Sequence, residues 1–171
     1  MARSDSFFIR AELELDNAGT FNTASIDLGS FVDALGKTVL RIHNASVQYT
    51  YGGNVGPLIA NPNDEGTTSW QLTTQNQTAM VNASNRSVIS TGALSATNTS
   101  GTPITFSFFS QDIDVAPQHW QNGFLIAVES IQLSGQNASS FSVGCDVSIV
   151  LECTVETMTA SASMALALSQ Q

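Results

Sequence analysis

The sequence predicts an all-β fold, an antiparallel β-sandwich with an apolar C-terminal arm, and three observations carry that prediction. Several segments alternate apolar and polar residues with a period of two, as a half-buried strand requires. Sixty-two of the 171 positions are Ser, Thr, Asn or Gln. Ser, Thr and Asn compete for backbone hydrogen bonds inside helices, whereas Thr, Val, Ile and Phe suit a pleated surface. Finally, no segment has a helical period long enough for a β-α-β crossover.

Phe7, Ile9, Ala11, Leu13 and Leu15 alternate with Phe8, Arg10, Glu12 and Glu14, which makes the first strand. Asn17, Ala18, Gly19 and Thr20 form a turn. Residues 21–32 then mix Ile26, Leu28, Phe31 and Val32 with Asp27 and Gly29, a short strand followed by a helical turn. Residues 38–51 carry Val39, Leu40, Ile42, Val47, Tyr49 and Tyr51, interrupted by His43, Asn44 and Ala45. That pattern fits one long bent strand, or two short ones meeting at a bulge. Gly52, Gly53, Asn54, Gly56 and Pro57 close it, residues 61–66 are dense in turn formers, and 67–74 around Trp70 and Leu72 form a strand.

The stretches 78–90 and 94–100 are weakly patterned, with one strand expected near 86–90. Residues 104–109 and 124–133 alternate clearly enough for two strands, joined by a loop holding Asp112, Asp114, Pro117, His119 and Trp120. The strongest pattern places Phe141, Val143, Cys145, Val147, Ile149, Leu151, Cys153 and Val155 at consecutive odd positions. Such a run spans about 50 Å, so it either bends between two sheets or runs the height of a tall sandwich. After Glu156 the phase shifts to even positions, with Met158, Ala160, Ala162, Met164, Leu166 and Leu168, compatible with either strand or helix. The expected division is a sandwich over 1–156 and an arm over 157–171. About eight strands without a repeat suggest a single jelly-roll. An immunoglobulin-type sandwich is the alternative, but the cysteine spacing does not support it.

A chain that is 42% hydrophobic can build a core, which excludes disorder. Only 11% of residues are charged, with Lys37 the single lysine. Fourteen acidic against 5 basic groups give a net charge of −9, which opposes binding to phosphate backbones. Arg10, Glu12 and Glu14 interrupt the early apolar run, so no signal peptide is expected and synthesis in a cytosol is. No apolar run approaches the roughly 20 residues of a transmembrane helix. Cys145 and Cys153, eight residues apart in one straight strand, would be about 26 Å apart, too far for a disulfide. Both are read as buried apolar residues.

Chemistry-bearing patterns are sparse. Phosphate-binding glycine loops, zinc-type Cys/His spacings and nucleophile elbows do not occur. His43 sits in a strand and reads as structural; His119, beside Trp120, reads as a packing or interface contact. Asp112 and Asp114, with Gln111 and Gln118 near them, are weak calcium candidates, and Asp64 with Glu65 is a second acidic pair; a solvated acidic loop is the plainer reading. Trp70, Tyr49, Tyr51 and Trp120 could line a sugar-binding face, though core packing explains them better. Six Asn-x-Ser/Thr sequons begin at Asn44, Asn76, Asn82, Asn85, Asn98 and Asn137 and read as by-products of composition. No cofactor and no enzymatic activity are expected.

The early amphipathic strand from Phe7 to Leu15, the long final one from Phe141 to Val155, the Asn-, Ser- and Gly-rich loops between and the apolar arm from Met158 to Leu168 resemble the single jelly-roll capsid proteins of viruses. The resemblance implies a non-enzymatic structural protein that self-assembles into a capsid or similar shell, with copies of itself and other capsid proteins as partners. It implies an arm buried against a neighbour, which makes Met158, Met164, Leu166 and Leu168 the candidate subunit interface. Many such proteins hold their genome with an Arg-rich arm, whereas here only Arg3 and Arg10 lie near the start. The genome is therefore expected to be separated from this shell by an inner membrane or another protein. The expected location is the virion, after synthesis in the host cytoplasm. A carbohydrate-binding β-sandwich and a surface filament subunit are the competing readings.

Overall fold

In the computed structural model, which describes residues 4–16, 19–33, 36–52, 56–138 and 140–171, the alternating segments close into two sheets. The described strands are β1 (Phe7–Leu15), β2 (Asn22–Asp27), β3 (Thr38–Tyr51), β4 (Asp64–Thr73), β5 (Val88–Asn98), β6 (Phe108–Val115), β7 (Phe124–Ile126), β8 (Ser130–Ala138) and β9 (Cys145–Thr157), followed by the helix α1 (Ala160–Ser169). One sheet has the order β1-β9-β3-β7 and the other β2-β8-β4-β5-β6. All pairings are antiparallel. The first strand lies beside the last and the second beside the second-last, while the chain crosses repeatedly from sheet to sheet. That connectivity is a jelly-roll, with β6 added at one edge.

β9 is the central beam of the four-stranded sheet, paired with β3 along its whole length and with β1 from Cys145 to Cys153. Its odd-numbered residues from Cys145 to Cys153 are all buried, opposite Leu15, Leu13, Ala11, Ile9 and Phe7 of β1. Residues 141–144 lie before the strand begins, although Phe141 still enters the core and packs its ring 5.0 Å from that of Tyr51. Both cysteines are buried and free. Burial raises both thiol pKa values, that of Cys153 to about 12, which suppresses the reactive thiolate. Neither should therefore react with an aromatic disulfide reagent in the native protein at pH 8, whereas both should react in denaturant; two labelled thiols in the native chain would contradict this packing.

The broken pattern in 38–51 has one cause. β3 is a single strand whose register against β9 shifts between Ile42 and Asn44, leaving His43 as the extra residue of a bulge. Leu40 and Ile42 face the core before it; Ala45 and Tyr51 do so after it. On the opposite sheet Trp70 is fully buried between Gly92 on β5 and Gly135 on β8. A Cβ at Gly92 would stand 3.0 Å from the indole nitrogen and 2.6 Å from the Asp112 carbonyl oxygen, so only glycine admits the indole there.

Several expected boundaries move. β4 begins at Asp64, inside the run of turn formers, because that run's turn ends at Asn63 with φ of 55°. The strand expected near 86–90 continues to Asn98 as β5. No strand spans 104–109: Ile104 has φ of 54°, which a β-branched residue cannot carry through a strand, and β6 starts only at Phe108. β6 also takes Asp112 and Asp114 out of the expected loop. The expected strand at 124–133 is two strands in different sheets, β7 and β8, separated by residues 127–129. Gly19 of the first expected turn is described with φ of 71°, whereas Asn17 and Ala18, like Gly53, Asn54 and Arg3, lie outside the described residues.

Candidate assembly surfaces

The C-terminal segment resolves its ambiguity as a helix, and Ala-rich composition favours that outcome. Thr159 caps it by accepting a hydrogen bond from the Ala162 amide at 3.3 Å. One face, with Ser163 and Ala167 buried and Leu166 beside them, packs on the chain's own sandwich against Val39, Leu125 and Ala127. Gln170 fastens the far end. Its Oε1 accepts from the Ala127 amide at 2.9 Å, its Nε2 donates to the Leu125 carbonyl at 2.6 Å, and its main-chain oxygen accepts from the Thr74 hydroxyl at 3.0 Å. The hydroxyl of Ser163 is fully buried under the helix with no hydrogen-bond partner among the described residues. Such an orphan costs about 1–3 kcal/mol, so the docking is weaker than its apolar contact alone suggests.

The four interface candidates consequently divide. Met158 and Leu166 are partly buried against the chain's own sandwich, whereas Met164 and Leu168, one helical turn apart, are 47% and 65% exposed. Together with Ala160 and Ala165 they form an uncharged outward ridge. The sequence did not point to Gln170 as the anchor, since a glutamine at a chain end reads as surface. Gln170→Ala strands the Ala127 amide and the Leu125 carbonyl, at a local cost of about 1–3 kcal/mol. Hydrogen exchange should then accelerate over 160–169 while the β9 amides keep their protection.

Below the helix, on the outward face of the four-stranded sheet, Arg41 and Glu156 form a two-pronged ion pair: Nε to Oε1 at 2.6 Å and Nη2 to Oε2 at 2.8 Å. The Arg41 and Glu156 side chains are only 14% and 7% exposed, and Arg41 also donates from Nη1 to the Asn122 carbonyl. The hydrogen bond to Glu156 raises the Arg41 pKa against the opposing effect of burial. His43, at the bulge, places Nε2 2.9 Å from the Thr154 hydroxyl. His119 is exposed at the end of the short 3-10 turn Pro117–His119. The amide of Gln118 in that turn pairs with both the N–H and the C=O of Ala45, at 3.0 and 3.1 Å, closing the edge of β3 where β7 has ended.

Asp112 and Asp114 are exposed on one face of β6, and no three His, Cys, Asp or Glu side chains among the described residues gather closely enough to hold a metal ion. The Asp64 carboxylate is held below the usual carboxylate range by hydrogen bonds from the Glu65 amide, then from Ser140 and Asn61. Of the four aromatic residues that could line a sugar-binding face, Trp70 and Tyr51 are fully buried, and Tyr49 is partly buried and accepts a 2.7 Å hydrogen bond from the Trp70 indole. Only Trp120 stands open. Two of the six sequon asparagines, Asn98 and Asn137, are buried, where their side chains tie down neighbouring loops. No described helix is long and apolar enough to cross a membrane.

No protein-family model matches the chain, and no curated protein matches it in sequence. Among solved structures it is similar to VP1 of Trichodysplasia spinulosa-associated polyomavirus in complex with GM1 oligosaccharide, at 10% identity over 89% of this chain and 95% of that one, with a TM-score of 0.48. It is similar to the unassembled pentamer of Merkel cell polyomavirus VP1, at 8% identity over 88% and 96%, with a TM-score of 0.41. It is also similar to the decameric BFDV capsid protein, at 12% identity over 91% and 100%, with a TM-score of 0.33. These are viral proteins, and at such scores the likeness adds nothing to the jelly-roll read directly from the strand order.

Proposed function

We propose that the chain is a non-enzymatic structural protein that assembles with copies of itself, and with other capsid proteins, into the shell of a virus. The observation that carries this reading is the helix α1. It is held to its own sandwich by one face and by Gln170, while Met164 and Leu168 project outward from a segment, 157–171, that has no charged side chain. A water-soluble monomer gains nothing from an apolar ridge there; a neighbour that covers it gains apolar burial. Burial at about 25 cal/mol per Å² converts a few hundred Å² of such surface into several kcal/mol per contact before entropy costs, enough to bias assembly.

The jelly-roll supplies a rigid block rich in neutral hydrogen-bonding side chains, so contacts placed away from its acidic residues meet little like-charge repulsion. With a net charge of −9, the chain is unsuited to holding a genome directly. An inner membrane or a second protein would lie between, and the place of work is the virion. The sugar-binding alternative is weakened by the burial of Trp70 and Tyr51. Size-exclusion chromatography with negative-stain microscopy of the full chain tests the proposal. Closed particles or regular capsomers are expected from the unaltered protein, with their loss in Leu168→Glu at unchanged melting temperature. Monodisperse monomers of both proteins would reject it, and linear fibres would reassign the chain to a filament.

A further inference from the structure

At the end of the sandwich opposite α1, three loops are stitched into one platform. Ile59 bridges both Thr105 and Phe141. Around it the Ala60 amide donates to the Ser140 carbonyl at 2.8 Å, the Ser142 amide to the Leu58 carbonyl at 2.8 Å and the Ile59 amide to the Thr105 carbonyl at 2.9 Å. Asn98 adds hydrogen bonds to the carbonyls of Asn61 and Thr102. From this base project Ile104, Phe106, Phe108 and Phe109, exposed by 61%, 39%, 64% and 49%, with the rings of Phe106 and Phe109 packed edge to face at 5.8 Å. The three loops themselves carry no charge, since Asp, Glu, Lys and Arg are absent from 44–63, 87–111 and 130–145; the acidic residues beside them are Asp64, which accepts from the Asn61 amide, and Glu65.

We infer that this loop platform is a second self-association surface, apposed to the same surface on a second copy of the chain. The inference deepens the shell reading and rests on it for its biological setting, but it concerns a contact separate from the helix ridge. Charge selects the occupant. Two copies at −9 each repel wherever their charged faces approach, and these loops, with Asp64 and Glu65 at their margin, let them meet with few carboxylates facing one another. A lipid surface is disfavoured, because the platform has no lysine or arginine and its backbone is locked by cross-loop hydrogen bonds. A fully exposed aromatic side chain offers about 150–250 Å² and an isoleucine somewhat less, so the three phenylalanines and Ile104, at their exposures, leave about 400 Å² per copy and about 800 Å² across the contact. That lies below the about 1,200 Å² of a stable pair, as suits one contact among several in an assembly. The start of β6 also presents an edge strand free of lysine and proline, with its first charge at Asp112.

Sedimentation velocity of the full chain over a concentration series, in the Leu168→Glu background that removes the helix contact, tests this. Reversible dimers are expected. Phe108→Glu should weaken them at least about tenfold, Phe108→Ser should weaken them in the same direction without adding charge, and Phe8→Glu, an exposed aromatic on β1, should leave them unchanged. Matched melting curves establish that each variant folds. Strict monomers in the Leu168→Glu background, or equal effects at Phe8 and Phe108, would overturn the inference, while shells from the unaltered chain would still leave the shell reading standing. Phe108-dependent dimers without shells would retain the platform and reject the shell. Phe108-dependent flotation with phosphatidylcholine vesicles, without dimers, would assign the platform to a bilayer and overturn the inference.

Discussion

Trp70→Ala should lower the unfolding free energy by about 4 kcal/mol, the largest effect of any single side-chain truncation in this protein. Trp70 is the largest fully buried side chain, in the centre of the five-stranded sheet and facing β1, β3 and β9 across the core. Three losses coincide in the substitution. The apolar area of the indole returns to water on unfolding in the parent but not in the variant. A cavity remains that the neighbours cannot fill, because both backbone partners of Trp70 are glycines, Gly92 and Gly135, with no side chain to lean inward. The Tyr49 hydroxyl loses its 2.7 Å donor while staying in a region whose burial already pushes its pKa well above the ordinary value. For a domain of this size the shift corresponds to a fall of about 12 °C in melting temperature. Urea melts at 25 °C measure it directly. Trp70→Phe, which keeps most of the volume and loses only the N–H and one ring, should cost about half as much. A loss below about 1.5 kcal/mol for the alanine variant would mean that the core closes around the gap, and would count against the glycine-flanked packing described above.

The parts of this fold that were legible in the sequence are those where one face of a strand meets the core and the other meets water. β1 and β9 are of this kind: the alternation gave β1 from end to end and located β9, which begins at Cys145 rather than Phe141 and runs past Val155 to Thr157. β3 was legible with its bulge, because an extra residue at His43 reverses the parity of the buried positions and leaves a visible break. β5 was nearly silent for a physical reason. Its inward positions include Gly92 and Ala96, kept small by the Trp70 indole and the close β6 partner, so the strand lacks the large alternating residues that announce one. The segment 104–109 misled in the opposite sense: it alternates like a strand, yet most of its apolar side chains are exposed, and the alternation belongs to a surface. Acidic spacing at Asp112 and Asp114 suggested a loop because turn formers follow it, whereas cross-strand pairing with β5 keeps both on a strand. The arm was legible as an apolar terminus needing cover. Its split between an inward face and an outward ridge was not, since that depends on how Gln170 fastens the helix, a contact between residues 43 and 45 positions apart in sequence.

The Arg41–Glu156 pair illustrates the same limit and carries the second large expectation. Glu156→Ala should destabilise the protein by about 2 kcal/mol, with a fall of about 6 °C in melting temperature, because it leaves a partly buried guanidinium without its carboxylate. The hydrogen bond from Arg41 to the Asn122 carbonyl survives the change but offers no opposite charge. The damage should spread to the helix, since Glu156 stands opposite Val39 in the β3–β9 ladder, Val39 is part of the footing of α1, and the Met158 amide that leads into the helix donates to the Lys37 carbonyl two residues earlier in the chain. Arg41→Met should be milder, because a lone carboxylate at the sheet margin can take up a proton or turn towards water. The double variant Arg41→Met with Glu156→Leu should recover most of the loss, since an apolar pair of similar volume removes the desolvation penalty on both partners at once. A thermodynamic cycle over the four proteins isolates the coupling. A coupling energy near zero would mean that the pair is a surface contact held together by crowding, and that the end of the sheet beneath α1 is stabilised by Val39 and its apolar neighbours alone.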